Sequence, residues 1–130
     1  MKTIPTYVHG IFDYVIGIAL LIAPNLFGFA HLGGAPVDVA RAVGIIIIIQ
    51  ALLTNYELGL FKVLPMRLHL MADYILSVFL TISPWLFRFN HEPNNVWVPH
   101  VVVGIIAFVL TLMTQREPRR VLTGERRTAV

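Results

Sequence analysis

The sequence repeats itself at an interval of sixty residues. Residues 2–29 align without a gap on residues 62–89, and after a divergent loop residues 43–57 align on residues 103–117. Self-similarity over this length identifies a duplicated structural unit, so the fold must contain two copies of one motif. The positions in and just after the first stretch that recur unchanged sixty residues later are Lys2, Pro5, His9, Asp13, Tyr14, Leu20, Ile22, Pro24, Leu26, Phe27, Phe29 and His31.

The composition is that of a membrane protein. Hydrophobic residues make up 57% of the chain and charged residues 13%, whereas about a quarter of the residues in a soluble domain are charged. Each of the four apolar runs is long enough to span most of the ~30 Å hydrocarbon core. We therefore predict an all-α membrane protein with four transmembrane helices, over about residues 6–23, 37–54, 66–83 and 97–114.

Each repeat contains two of these helices, so the chain divides into two tandem helical hairpins. The first hairpin covers residues 1–58, the second covers residues 59–117, and residues 118–130 form a polar tail that we expect to be mobile. The arginines of the tail are predicted to contact anionic lipid headgroups. Nucleic acid is not an expected partner, because no aromatic platform or nucleic-acid-binding motif accompanies these arginines.

Basic residues are concentrated at one end of the predicted bundle. Only Arg41 and Arg88 lie near the opposite end. The positive-inside rule then places both termini in the cytoplasm, which predicts a multi-pass protein of the inner membrane. The first and third helices run in the same direction, so the hairpins are parallel repeats and equivalent residues lie at equal depth. The basic residues at the cytoplasmic end are Lys2, Lys62, Arg67, Arg116, Arg119, Arg120, Arg126 and Arg127.

Three local features bear on helix ends and helix packing. Pro24 is predicted to end or kink the first helix at Ala23. Gly44, four residues after another small residue, is expected to let a second helix approach closely. Gln50 and Thr54, near the end of the second helix, are expected to form hydrogen bonds with a neighbouring helix.

The first helix of each repeat carries a histidine and an aspartate four residues apart: His9 and Asp13, and His69 and Asp73. This spacing puts both side chains on one helix face, and each aspartate lies about 10 Å into the membrane. Ionisable groups at that depth need partners, and the nearest candidate for each aspartate is the histidine of its own helix. If the first and third helices face each other, all four side chains converge at one depth.

Several interpretations of these four residues are open. The first is a buried polar clasp that holds helices together in a structural or interaction protein, which could also form homo-oligomers. The second is a proton or divalent-cation transporter or channel, in which Ser77 and Thr81 extend the polar stripe of the third helix as a relay. A third is a metal site, since two imidazoles and two carboxylates suit Zn²⁺ or a similar divalent ion. Haem held by the two histidines is disfavoured, because the adjacent aspartates would repel its propionates.

A second group of histidines is expected at the outer face. His31 and His91 are equivalent positions of the two repeats, and His100 lies near them in the fourth helix. They are candidates for an outer metal site or a pH-sensing site. No arrangement of nucleophile, base and orienting group is visible in the sequence, so we predict that the protein is not an enzyme, and apart from a divalent metal we predict no cofactor.

The tripeptide Ser83-Pro84-Trp85 closes the third helix. Together with the repeat of two transmembrane helices, it resembles the SPW-repeat family of small prokaryotic integral membrane proteins. The resemblance covers residues 2 to about 117, although the first copy reads Ala23-Pro24-Asn25 instead. It implies a four-helix bacterial inner-membrane protein and supplies no biochemical activity.

Overall fold

The protein is a bundle of four α-helices. A computed structural model describes residues 3–115, so the predicted tail over 118–130 lies outside the described residues. Each helix is long and apolar enough to cross a membrane, and the residues described include two isolated β-bridges but no strand. The predicted all-α membrane fold is confirmed. The helices are α1 (Thr6–Leu26), α2 (Gly34–Leu53), α3 (Met66–Leu86) and α4 (Asn94–Met113), and a 3-10 turn (Ala30–Leu32) joins α1 to α2.

We call the end of the bundle at which α1 begins and α2 ends the inner end. The helices reach further than predicted at the opposite, outer end. There, α1 and α3 end three residues later than the hydropathy indicated, and α2 and α4 begin three residues earlier. The reason is that an apolar run marks the part of a helix in hydrocarbon, whereas backbone hydrogen bonding continues into the headgroup region. At the inner end the predictions for α2 and α4 differ from the structure by one residue.

Prolines near the outer ends do not stop the helices. Pro24 and Pro84 lie inside α1 and α3, so of the two outcomes predicted at Ala23, an end or a kink, the end is wrong. A proline has no N–H to donate to the carbonyl four residues earlier, and in a membrane another donor must satisfy that oxygen. For Pro84 this oxygen belongs to Leu80, and the Ser83 hydroxyl donates to it at 2.7 Å.

The bundle is apolar outside and polar within. Along α1, Ile11, Val15, Ile18 and Ile22 are each about half exposed. Such an apolar surface is stable in contact with lipid. Polar side chains are costly there, so they lie inside the bundle. The buried polar residues are Thr6, His9, Asp13, Gln50, Thr54, His69, Asp73, Ser77, Ser83, His100, Thr111 and Thr114.

Small residues hold the two helices of each hairpin close together. A Cβ added to Gly44 of α2 would lie 2.6 Å from the backbone oxygen of Gly17 in α1. In the second hairpin, a Cβ added to Gly104 of α4 would lie 2.8 Å from the backbone nitrogen of Thr81 in α3. The prediction that Gly44 allows a close helix approach is confirmed.

The two hairpins are joined at the inner end by a pair of equivalent contacts. The start of the second repeat pairs with the end of the first through a parallel bridge between Leu64 and Thr54. The start of the first repeat pairs in the same way with the end of the second, through Ile4 and Thr114. Because these positions are related by the sixty-residue interval, the hairpins lie side by side in the same direction. The predicted parallel repeats are confirmed.

Candidate functional site

The four repeated ionisable side chains meet inside the bundle, near its inner end. Nε2 of His9 lies 2.8 Å from Oδ2 of Asp73, and Nε2 of His69 lies 2.8 Å from Oδ2 of Asp13. Each histidine therefore bonds to the aspartate of the other repeat. We call His9, Asp13, His69 and Asp73 the His/Asp tetrad.

The pairing differs from the one that helix spacing suggested. Within a helix, the nitrogen-to-oxygen distances are longer, at 3.2 Å between His9 and Asp13 and 3.0 Å between His69 and Asp73. The reason is that the parallel hairpins bring the two imidazole rings together, with centroids 5.6 Å apart. Each carboxylate then lies between both rings, so the tetrad connects the repeats rather than the turns of one helix.

Two threonines fix the orientation of the imidazoles. Nδ1 of His9 lies 2.8 Å from Oγ1 of Thr114, and Nδ1 of His69 lies 2.6 Å from Oγ1 of Thr54. Each threonine hydroxyl donates its only proton to the carbonyl four residues earlier in its own helix, at 2.5 Å. Nδ1 must therefore be the donor in both histidine–threonine bonds.

It follows that Nε2 of each histidine is directed at the carboxylates. A lone pair on Nε2 would be repelled by a carboxylate oxygen 2.8 Å away. The contact is favourable only when a positive group lies between the two atoms, either a proton on Nε2 or a bound cation. With a proton on each Nε2, two imidazolium ions balance two carboxylates and the tetrad carries no net charge.

Gln50 makes the site asymmetric. Its side-chain amide donates to Oδ1 of Asp73. The position sixty residues later is Leu110, so the carboxylate of Asp13 has no equivalent amide donor. The prediction that Gln50 and Thr54 form hydrogen bonds with a neighbouring helix is confirmed, since both contact side chains of α3.

Tyr56 covers the tetrad on the inner side. Its ring lies 5.9 Å from the ring of His69, and only 2% of the residue is exposed. Gly10 makes room for it, because a Cβ there would lie 2.5 Å from the tyrosine hydroxyl. Burial raises the pKa of the Tyr56 phenol well above its usual range, and the carboxylate of Asp13 raises it further. The repeat pattern does not indicate Tyr56, since the equivalent position is an arginine.

Apolar side chains cover the tetrad on the outer side. A cavity of about 20 Å³ adjoins His9, Asp13 and Asp73, and most of its remaining wall is apolar. Leu80 lines this cavity, and Leu20 and Leu80 are only 2% and 1% exposed. A cavity of this size holds about one water molecule and leaves no space for a macrocycle, so the tetrad does not fit haem.

The two hydroxyls suggested as a relay bond to their own helix. The hydroxyl of Ser77 donates to the carbonyl of Tyr74 at 3.0 Å, and that of Thr81 donates to the carbonyl of Ser77 at 2.8 Å. Thr81 packs against Gly104 in the contact between α3 and α4. In this conformation the hydroxyls do not form a hydrogen-bonded chain from Asp73 to the outer face.

The comparison with known families agrees with the repeated architecture. The profile of the SPW repeat domain matches residues 7–114. The chain belongs to the SPW repeat family. No curated protein and no solved structure is significantly similar to it. The SPW description names a repeat and gives no activity, so a function has to be argued from the tetrad and its surroundings.

The SPW tripeptide has a structural explanation in this chain. The serine hydroxyl satisfies the Leu80 carbonyl that the proline leaves without a donor, as described above. Trp85 is half exposed at the outer end of α3, where its ring contacts that of Trp97 edge to face, with centroids 5.8 Å apart. Tryptophan is favoured at this level of a bilayer, because its ring is apolar and its N–H is polar.

The three outer histidines of this SPW repeat protein do not form one site. His31 is exposed, and the side chain of His91 is 72% exposed with Nε2 3.8 Å from a carboxylate oxygen of Glu92. His100 is buried, and its two ring nitrogens face the backbone oxygens of Val96 and Pro36 at 2.9 and 3.0 Å. His100 therefore ties α4 to the start of α2.

Proposed function

We propose that this SPW repeat protein is a structural protein of the inner membrane, in which the His/Asp tetrad clasps two hairpins into one unit. The observation that supports the proposal is the exchange of bonds between repeats. Each histidine takes its shorter carboxylate contact and its hydroxyl contact from the hairpin to which it does not belong. Separating the hairpins would leave buried donors and acceptors of both without partners.

The tetrad is expected to contribute more to the choice of hairpin alignment than to the total stability. Removing one partner from a buried ionic network costs about 3–5 kcal/mol, because the remaining charge has no counterpart. Replacing a whole network by apolar side chains is often neutral. Lipid tails are as apolar as the helix surfaces, so apolar contact alone specifies neighbouring helices weakly. We infer that the tetrad selects one alignment of the two hairpins.

A double-mutant cycle tests the clasp. We expect His9→Gln and Asp73→Asn to show a coupling energy of about 1–3 kcal/mol in reversible unfolding in mixed detergent micelles, because the two side chains contact each other across the repeats. Ser77→Ala is the control, since its buried hydroxyl bonds only to its own helix. Purely additive losses for His9 and Asp73 would contradict the clasp.

The orientation and the lipid contacts belong to the same proposal. We propose that both termini are cytoplasmic and that the arginine-rich tail contacts anionic lipid headgroups. A fluorescent reporter at the C-terminus should be active, whereas a periplasmic phosphatase reporter there should be silent.

The tetrad is complete within one chain and needs no side chain from a second copy. Copies of the chain would therefore associate through their outward apolar faces. Native mass measurement in mild detergent gives the number of copies.

Transport of protons or a divalent cation is the second hypothesis. It is favoured by the cavity of about 20 Å³ that joins the tetrad to Ser77. It would require Leu20 and Leu80 to separate, because both are buried on the outer side. The test is flux in proteoliposomes, with the double variant Asp13→Asn and Asp73→Asn as the comparison. Flux that this folded variant loses would support transport, and absence of flux in the natural protein would reject it.

A further inference from the structure

We propose that the His/Asp tetrad binds one divalent transition-metal ion of the Zn²⁺ class, through Nε2 of both histidines and one oxygen of each aspartate. The inference rests on the proposed clasp, since the same four side chains serve both roles. It goes beyond the clasp by naming the ligand that would join the two hairpins.

The distances between the donor atoms suit a small ion. One donor atom from each of the four residues can be chosen so that all lie within 4.8 Å of one another. The nitrogen-to-oxygen contacts between the histidines and the aspartates are 2.8–3.2 Å, with Asp73 using one oxygen for both histidines and Asp13 using a different oxygen for each. Bonds of about 2.0 Å in tetrahedral geometry place neighbouring ligands about 3.3 Å apart. To hold the ion, the short contacts would lengthen by about 0.1–0.5 Å, and any donor pair as far as 4.8 Å apart would close by about 1.5 Å, through rotation of the side chains.

The histidines are already oriented as ligands. Thr54 and Thr114 accept the Nδ1 protons, so the neutral ring presents the lone pair of Nε2 to the centre of the tetrad. Outer hydrogen bonds of this kind fix the tautomer and the ring angle of metal-binding histidines. Gln50 holds the second oxygen of Asp73, which leaves its other oxygen directed at the two imidazoles.

The binding step is balanced in charge and in atoms. Without metal, the positive groups between Nε2 and the carboxylates are two protons, and the tetrad is neutral. When a divalent ion enters, the two Nε2–H bonds break, two nitrogen–metal bonds form and two protons leave to solvent. The metal-bound tetrad is again neutral, so neither form places a net charge in the membrane interior.

The donor set and the space select the kind of ion. Two imidazoles and two carboxylates suit Zn²⁺ and Co²⁺, whereas Cu⁺ prefers sulfur, and the chain has no cysteine. Ca²⁺ takes six to eight oxygen ligands, and Mg²⁺ keeps several waters in an octahedron. The adjoining cavity of about 20 Å³ holds about one water, so the site offers four or five ligands.

Metal titration of the purified full-length protein without a metal-binding tag tests the inference. After treatment with a chelator, the protein in detergent is titrated with Zn²⁺, or with Co²⁺ as a spectroscopic probe. We expect one ion per chain, a visible absorption band of tetrahedral Co²⁺ that Zn²⁺ displaces, and a higher thermal midpoint with metal than without.

Two sets of variants locate the ion. Asp13→Asn with Asp73→Asn should abolish the tetrahedral Co²⁺ spectrum. Thr54→Val with Thr114→Val keeps all four ligands and should weaken binding about 10–100-fold, because outer partners are lost. His31→Ala with His91→Ala is the control, since both histidines are exposed. It should leave binding unchanged.

Absence of a stoichiometric ion, or binding that the His31 and His91 control removes, would overturn the metal site. The clasp is judged separately, by the coupling between His9 and Asp73. Coupling without metal binding leaves the clasp as an imidazolium–carboxylate cluster. Metal binding without coupling in the metal-free protein refutes the clasp and retains the site. Should the aspartate variants fail to fold, the threonine pair still decides the location of the ion.

Discussion

Two threonine hydroxyls determine which nitrogen of each buried histidine faces the centre of the protein. Thr54 and Thr114 each use their proton on a helix carbonyl, so they can only accept from Nδ1. A valine in either place would have nearly the same shape and no acceptor. The histidine would then hold a buried N–H with no partner, or turn its ring away from the carboxylates.

We therefore expect Thr54→Val to lower the free energy of unfolding by about 1–3 kcal/mol, the cost of a buried donor left without a partner. Thr111→Val is the matched control, because Thr111 is also buried and its hydroxyl also bonds to the carbonyl four residues earlier. Unfolding in mixed detergent micelles measures both. Equal losses for the two variants would contradict the orienting role of Thr54.

At the scale of residues, the sequence predicted which side chains matter better than how they pair. His9 and Asp13 were found because an ionisable pair recurs in an apolar segment. Their bonds to the other repeat were not found, because these depend on how far each helix is rotated about its axis, which spacing within one helix does not determine. Tyr56 was missed because it lies in a loop and does not recur.

Among the helices, α3 carries a proline and a serine that act together. Pro84 frees the carbonyl of Leu80, and Ser83 satisfies it. In α1 the equivalent residue is Ala23, which has no hydroxyl. Because α1 continues equally far, to Leu26, the serine is not needed for the helix to pass the proline, and its contribution is a donor for the Leu80 carbonyl.

We expect Ser83→Ala to cost about 1 kcal/mol or more of stability, because the Leu80 carbonyl loses its donor in a buried position. Ser77→Ala is the control on the same helix. Its hydroxyl bonds to a carbonyl that a helical N–H can also satisfy, so its loss should be smaller. Thermal unfolding followed by circular dichroism in detergent compares them, and a larger loss for Ser77→Ala would reject this account of the tripeptide.

The close contact between α1 and α2 depends on the absence of a side chain at Gly44. Gly44→Ala should destabilise the protein by about 1–2 kcal/mol, although alanine favours a helix, because the added Cβ would lie 2.6 Å from the Gly17 oxygen. Ala42→Val adds bulk on the exposed side of the same helix and should change stability by less than about 0.5 kcal/mol. A neutral Gly44→Ala would contradict the close approach of α1 and α2.

Helix number and direction were predictable, and the outer helix ends were not. Four apolar runs and the charge distribution gave the four helices and their parallel hairpins. The ends were missed by three residues, because Asn94 and Asn95 are polar and yet belong to α4. An end or a kink is predicted at Ala23 because a residue before a proline disfavours the helical conformation, whereas in a bilayer continuing the helix keeps more of the backbone bonded.

In the whole molecule, we expect the non-covalent contacts between the two hairpins to hold them together even without the covalent loop that connects them. The tetrad and the bridge between Ile4 and Thr114 join the repeats outside the loop between α2 and α3. We expect residues 1–58 and 59–130, expressed together as separate chains, to purify as a one-to-one complex. The variant Asp13→Asn with Asp73→Asn in the same split form should separate. Independent purification of the unmodified halves would contradict this.

The exchange of partners also has a bearing on how such a chain could arise. Each hairpin holds one histidine, one aspartate and one threonine of the central cluster, so neither can complete it, while two copies of the first would supply two of each. A protein of half this length, assembling as a symmetric dimer, could have built the same centre before a gene duplication and fusion joined its subunits. Gln50, which survives in only one half, would then record the divergence that fusion permits.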